Sequence, residues 1–107
     1  MVFDILEVEG IGEYFEEQYE DGWVYKIDGK VFLVTHLDSE AMTKTIEVRC
    51  DANLSDLLQK KFESVMRSRY FGQGGVEVVL SGQMENGEIY DLVRLSYNLT
   101  KALVAAQ

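Results

Sequence analysis

Two β-rich runs separated by only two residues constrain this chain more than any other feature. Trp23-Val-Tyr-Lys-Ile27 and Lys30-Val-Phe-Leu-Val-Thr-His-Leu37 flank Asp28-Gly29. Asp-Gly tolerates the positive φ angles that a type I′ turn requires, so the two runs should close into an antiparallel hairpin. In the second run apolar side chains occupy both parities, the mark of a central strand buried on both faces.

The flanking segments extend this sheet. Thr45-Ile-Glu-Val-Arg-Cys50 alternates, which predicts a strand with Ile46, Val48 and Cys50 inward and Glu47 and Arg49 on a wet face. Asp51 to Asn53 offers N-cap chemistry, and Leu54, Leu57, Leu58 and Phe62 mark a helix behind it. Met66 to Phe71 reads as a short strand, Gly72-Gln-Gly-Gly75 as a turn, and Val76 to Leu80 as another strand. Asn86 is expected to cap a terminal helix in which Ile89, Leu92, Val93, Ser96, Leu99, Thr100 and Leu103 share one face. Ser96, small and inside that apolar stripe, would let the helix approach closely what it covers. At the other end, residues 11–20 predict a short helix. Ile11, Tyr14, Phe15 and Tyr19 would share one side of it, with Glu13, Glu16, Glu17 and Glu20 on the other. The order of elements predicts an α+β fold, a mainly antiparallel sheet with helices packed on one face. A length of 107 residues suits a single domain over 1–107.

A hydrophobic content of 47% argues against disorder. No apolar run approaches the roughly eighteen residues of a membrane span, so no membrane partner is expected. Early acids and the lack of a basic segment at the start argue against a signal peptide. Cys50 is the only cysteine, which excludes an internal disulfide and fits the reducing cytoplasm. The net charge is −9, unevenly spread. Residues 1–21 carry eight acids (Asp4, Glu7, Glu9, Glu13, Glu16, Glu17, Glu20, Asp21) and no Lys or Arg, so the rest of the chain is nearly neutral. Lys60, Lys61, Arg67 and Arg69 fall close together within it, opposed only by Glu63.

Four stretches resemble a known family: Lys26-Ile-Asp-Gly-Lys-Val-Phe32, Thr45-Ile-Glu-Val-Arg-Cys-Asp51, Val78-Val-Leu-Ser-Gly82 and Leu95-Ser-Tyr-Asn-Leu99. Their order and spacing over residues 23–104 resemble the MmcQ/YjbR-like proteins, whose fold is related to that of bacterial frataxin (CyaY-like). The resemblance implies that α+β fold and a nucleic-acid-binding role. Members of that family usually carry a His-Trp pair just before the strand that ends here in Leu80-Ser-Gly82. This chain has Gly74-Gly75 instead. The family's first helix is also shortened and acidified here.

The residues themselves point to binding rather than catalysis. His36 is the single histidine and lacks Cys or His partners, so it reads as a structural or solvent-facing residue, with no metal site expected. No nucleophile elbow is present, and Gly72-Gln-Gly-Gly75 lacks the Lys and Ser/Thr of a P-loop. No catalytic residue and no cofactor are expected. Lys60, Lys61, Arg67 and Arg69, with Tyr70 beside them, are the candidate contacts for nucleic acid, by phosphate neutralisation and base stacking. Such binding would be weak and salt-sensitive. The plain alternative is two lysines favouring a helix C-terminus and two arginines guarding an edge strand. Glu13, Glu16, Glu17 and Glu20 are the candidate surface for a protein partner, against the plain reading of a solvated helix face. The free face of the sheet is a further candidate.

Overall fold

The computed structural model of the protein describes residues 3–106. Six strands, β1 (Phe15–Tyr19), β2 (Gly22–Ile27), β3 (Lys30–Leu37), β4 (Thr43–Arg49), β5 (Val65–Ser68) and β6 (Gly72–Val79), form one antiparallel sheet in the order β1-β2-β3-β4-β6-β5. Helix α1 (Ala52–Lys61) packs on β5 and β6, and α2 (Asn86–Ala105) packs mainly on β3 and β4. Both helices lie on the same side. Leu54, Leu58, Ile89, Leu92 and Val93 meet Leu33, Ile46, Val48, Val76 and Val78 in one core. Ile5 and Val8, in and after a single 3-10 turn (Ile5–Glu7), extend this layer. The expected α+β architecture is therefore the observed one. No helix among the described residues is long and apolar enough to cross a membrane.

The hairpin forms as its turn residues dictate, with φ of 46° at Asp28 and 83° at Gly29. The terminal helix also behaves as its pattern requires. Ser96 is fully buried, and its hydroxyl donates to the Phe32 carbonyl while accepting from the Arg49 N–H. It thus fastens α2 to β3 and β4 at the closest point of approach. Tyr97 is also buried and donates its hydroxyl to the Glu13 carbonyl. Leu103, expected in the same stripe, is 45% exposed and borders a hollow with Arg49, Cys50 and Gly74.

Several local expectations are corrected. Residues 11–20 contain no helix; Phe15–Tyr19 is edge strand β1, paired with β2. A helix of ten residues with four apolar positions is marginal alone, whereas the free edge of β2 offers a row of unsatisfied backbone groups. In α1, Leu57 is 62% exposed and Ser55 is buried in its place. The Ser55 hydroxyl donates to the Gly75 carbonyl, letting α1 sit close on β6. Gly72 to Gly75 is part of β6 rather than a turn, and the chain reverses just before it, at 69–71. Gly75 is needed there, because a Cβ would stand 2.5 Å from the Val48 carbonyl oxygen. The N-cap of α2 is Glu85 rather than Asn86, with Glu88 accepting from the Glu85 N–H. Glu47, expected on a wet face, is buried at 2% exposure, and Arg49 is half-buried. The sheet face away from the helices is itself covered at its centre.

Candidate functional site

Alternation along each strand sends Val24, Val34, His36, Thr45, Glu47 and Glu77 to the helix-free face, opposite the core residues. Val24, Val31 and Val34 form a small apolar patch there, under Tyr19 and Phe71. Beside it lies a polar cluster that strand pairing assembles. Glu47 stands directly across from Glu77. Two buried carboxylates so placed repel, and each needs its own cation.

His36 supplies one. Its Nε2 donates to Glu47 Oε2 at 2.6 Å and its Nδ1 to Asp21 Oδ1 at 2.9 Å. A neutral imidazole has one N–H, so bonding both carboxylates requires the imidazolium. Burial opposes that charge, but the hydrogen bonds to Glu47 and Asp21 outweigh it and hold the His36 pKa above its ordinary value. Burial likewise pushes Glu47 toward its neutral form. The bonds from His36, the Tyr70 N–H and the Ser68 hydroxyl prevail and keep its pKa below the usual carboxylate range. Asp21 is lowered by its bond to His36. Arg69 serves Glu77, donating from Nε and Nη2 at 2.9 Å each, while Thr45 donates to the same carboxylate at 3.0 Å.

This cluster fixes the reversal at 69–71. Glu47 Oε1 accepts from the Tyr70 N–H and from Ser68 Oγ at 2.8 Å each, and Ser68 Oγ accepts from the Phe71 N–H at 2.9 Å. Tyr70 then meets Tyr19 edge-on at 5.9 Å and Phe71 at 5.0 Å. The Arg49 guanidinium lies 4.8 Å from the Phe71 ring centre. Tyr70 and Met66 remain exposed beside the cluster. Two shallow hollows open over it. One of about 250 Å³ lies among Tyr19, Glu20, His36, Glu47, Arg69 and Tyr70. The other, about 720 Å³, is bordered by His36, Lys44, Met66, Arg67 and Arg69 among others. Ligand atoms of His36, Glu47 and Glu77 lie within 4.8 Å of one another, as a metal site would need. All four carboxylate oxygens are already bonded within the protein, and both imidazole nitrogens are engaged. The chemistry of this donor set is that of a closed structural network.

The residues singled out in the sequence are dispersed. Lys60 and Lys61 end α1 in the helix layer, with Lys61 against its neighbour Phe62. Arg67, Arg69 and Tyr70 belong to β5 and the reversal after it, and Arg69 is paired with Glu77. Glu16 and Glu17 are successive strand residues and face opposite sides; Glu17 pairs with Lys26 at 2.8 Å. Glu13 precedes the strand, and Glu20 sits in the β1–β2 turn with φ of 50°. The Asp21–His36–Glu47 network has no contiguous sequence motif. Its signal was present in β3, whose two apolar parities require burial of both faces, including the neighbouring Glu47.

The family model named YjbR matches residues 8–99. The chain belongs to the YjbR family. This YjbR-family protein also shares its fold with a protein from Pseudomonas syringae whose crystal structure comes from a structural genomics consortium. The TM-score is 0.66 at 18% identity, over 81% of this chain and 86% of that one. No curated protein matches the sequence.

Proposed function

We propose that this YjbR-family protein is a non-enzymatic binding domain that engages a protein partner through the helix-free face of its sheet. One observation carries the reading. The buried His36–Glu47 pair fastens the reversal at 69–71, so Tyr70 is displayed with Met66 and Arg69 on that face. Tyr, Met and Arg are enriched where proteins meet, and preorganised side chains lose little entropy on binding.

The chemistry of the candidate nucleophiles supports binding over catalysis. Burial pushes the Cys50 thiol up to about 11, leaving little thiolate at neutral pH. Ser68 and Ser96 are committed to structural bonds, and neither His36 nitrogen is free to act as a base. The lone Cys50 suits a reducing compartment such as the cytoplasm.

Nucleic acid is the second reading, favoured by Lys44, Arg67 and Arg69 bordering one hollow near Tyr70. Charge balance weighs against it. Asp21, Asp38 and Glu77 border the same hollow, and Lys60 and Lys61 lie in the other layer. Phosphate binding depends on unneutralised cations.

Affinity capture separates the two. The wild type should retain a protein partner that Met66→Ser with Tyr70→Ser loses and Leu57→Ser, on exposed α1 surface, keeps. Equal retention by both variants would overturn the protein reading. Anisotropy with single- and double-stranded DNA should show no binding at low salt. Binding that weakens with salt and with Arg67→Glu would install nucleic acid instead.

A further inference from the structure

On the helix side, α2 leaves the β1–β2 end of the sheet to the N-terminal segment, and a hollow of about 370 Å³ opens there. Its walls include Tyr14, Trp23 and Tyr25, and Asp4 and Glu16 stand at it. Tyr14 and Tyr25 pack edge-on with ring centres 5.8 Å apart. Trp23 and Tyr25 project from one side of β2, and Glu16 lies directly across from Tyr25 on β1. Trp23 is 38% exposed, although it is the only tryptophan and the core lies beside it.

The charge at this hollow is one-sided. Among the described residues, no Lys, Arg or His lines it, and neither Asp4 nor Glu16 forms an ion pair. Burial, reinforced by Glu16 and Asp4, raises the pKa of Tyr14 and pushes Tyr25 up to about 12. Burial is the larger cause of both shifts; the two carboxylates supply only the smaller, electrostatic part. Aromatic faces and carboxylates attract the same charge. A small metal ion would need dense oxygen ligands, whereas a large, weakly hydrated organic cation suits π faces with carboxylates nearby. The volume lies at the low end of ligand pockets, enough for one compact group.

The geometry points to an alkylammonium-binding site formed by Tyr14, Trp23 and Tyr25 with Glu16 and Asp4, taking a trimethylammonium group. It lies on the opposite side of the sheet from the proposed partner face and stands independently of it. The rings would cover the methyl groups, and the carboxylates would set the charge. Such a group occurs in choline-like small molecules and in methylated lysine side chains.

Trp23 fluorescence reads the site directly, because no other tryptophan is present. Choline and a trimethyl-lysine peptide are titrated at constant ionic strength, beside the neutral isostere 3,3-dimethylbutan-1-ol. At least one of the two cations should saturate the signal, and the isostere should bind at least about tenfold more weakly. Glu16→Gln, an exposed and structurally mild change, should weaken the cation about fivefold to tenfold, while Glu13→Gln should leave it unchanged. Saturation by choline assigns the site to a free small molecule; saturation by the peptide alone assigns it to a modified protein tail. Failure of both cations to saturate, equal binding of the isostere, or an unaffected Glu16→Gln variant would overturn the inference.

Discussion

Replacing His36 with Leu tests the polar cluster at its centre. The substitution removes the bond to Glu47, a carboxylate only 2% exposed, and the bond to the exposed Asp21. A charge-assisted hydrogen bond between buried groups contributes about 1.5–3 kcal/mol, and the bond to Asp21, screened by solvent, adds little. The larger consequence is a buried charge without its cation, which costs about 3–5 kcal/mol. Glu47 keeps the Ser68 hydroxyl and the Tyr70 N–H, and it can also take up a proton, so the low end applies. We expect His36→Leu to lose about 3 kcal/mol at pH 7, read by urea unfolding followed through Trp23 with the m-value unchanged. Glu47→Gln removes the charge that His36 balances. The double variant should therefore fall short of the summed single losses by at least about 1.5 kcal/mol. A His36→Leu loss under about 1 kcal/mol, or strict additivity, would refute the argument that the pair is charged and mutually dependent.

Further outcomes follow from the same contacts. Because the folded pKa of His36 is raised, its stabilisation is complete below its unfolded value of about 6.5 and is lost as pH rises through the folded value. Glu47 and Asp21, lowered in the folded state, contribute above about pH 4.5 and lose that contribution as pH falls through their folded values. The gap in stability between wild type and His36→Leu should therefore be widest near pH 5–6.5 and narrow by pH 10. Gly75→Ala should cost at least about 2 kcal/mol by thermal or urea unfolding, because its Cβ meets the Val48 carbonyl oxygen and Phe71 Cβ rather than a movable side-chain tip. Cys50, 3% exposed and with its thiol raised to about 11, should react with a thiol reagent at neutral pH only at the rate of opening. Labelling as fast as free cysteine would contradict its burial.

The parts of this fold that were legible in the sequence are those where a local signal and the tertiary context agree. Asp28-Gly29 demanded a turn that β2 and β3 both needed. The stripe of α2 had one large apolar surface to cover, and Ser96 within it marked the closest approach. Residues 11–20 misled because their spacing of aromatics and glutamates suits a helix as well as a strand, and the exposed edge of β2 decided between them. Gly72 to Gly75 looked like a turn because glycine allows one; what requires Gly75 is the nearness of Phe71 and β4, which no local pattern records. The polar cluster is hidden from local patterns for a related reason. Glu47 alternates with Ile46 and Val48 as a solvent-facing residue would, and its partners His36, Ser68 and Glu77 come from three other strands. Charges that neighbour along the chain are separated in the fold: Lys60 and Arg67 belong to different layers, and Glu16 and Glu17 to opposite faces.

The displayed reversal at Tyr70 depends on a charged His36 that holds Glu47. His36 is the only histidine, so an imidazole nitrogen titration by NMR is free of overlap. It should show both ring nitrogens protonated at pH 6 and a pKa above the ordinary value of about 6.5. A single neutral tautomer at pH 6, or a pKa below about 6, would contradict the network and the binding face built on it.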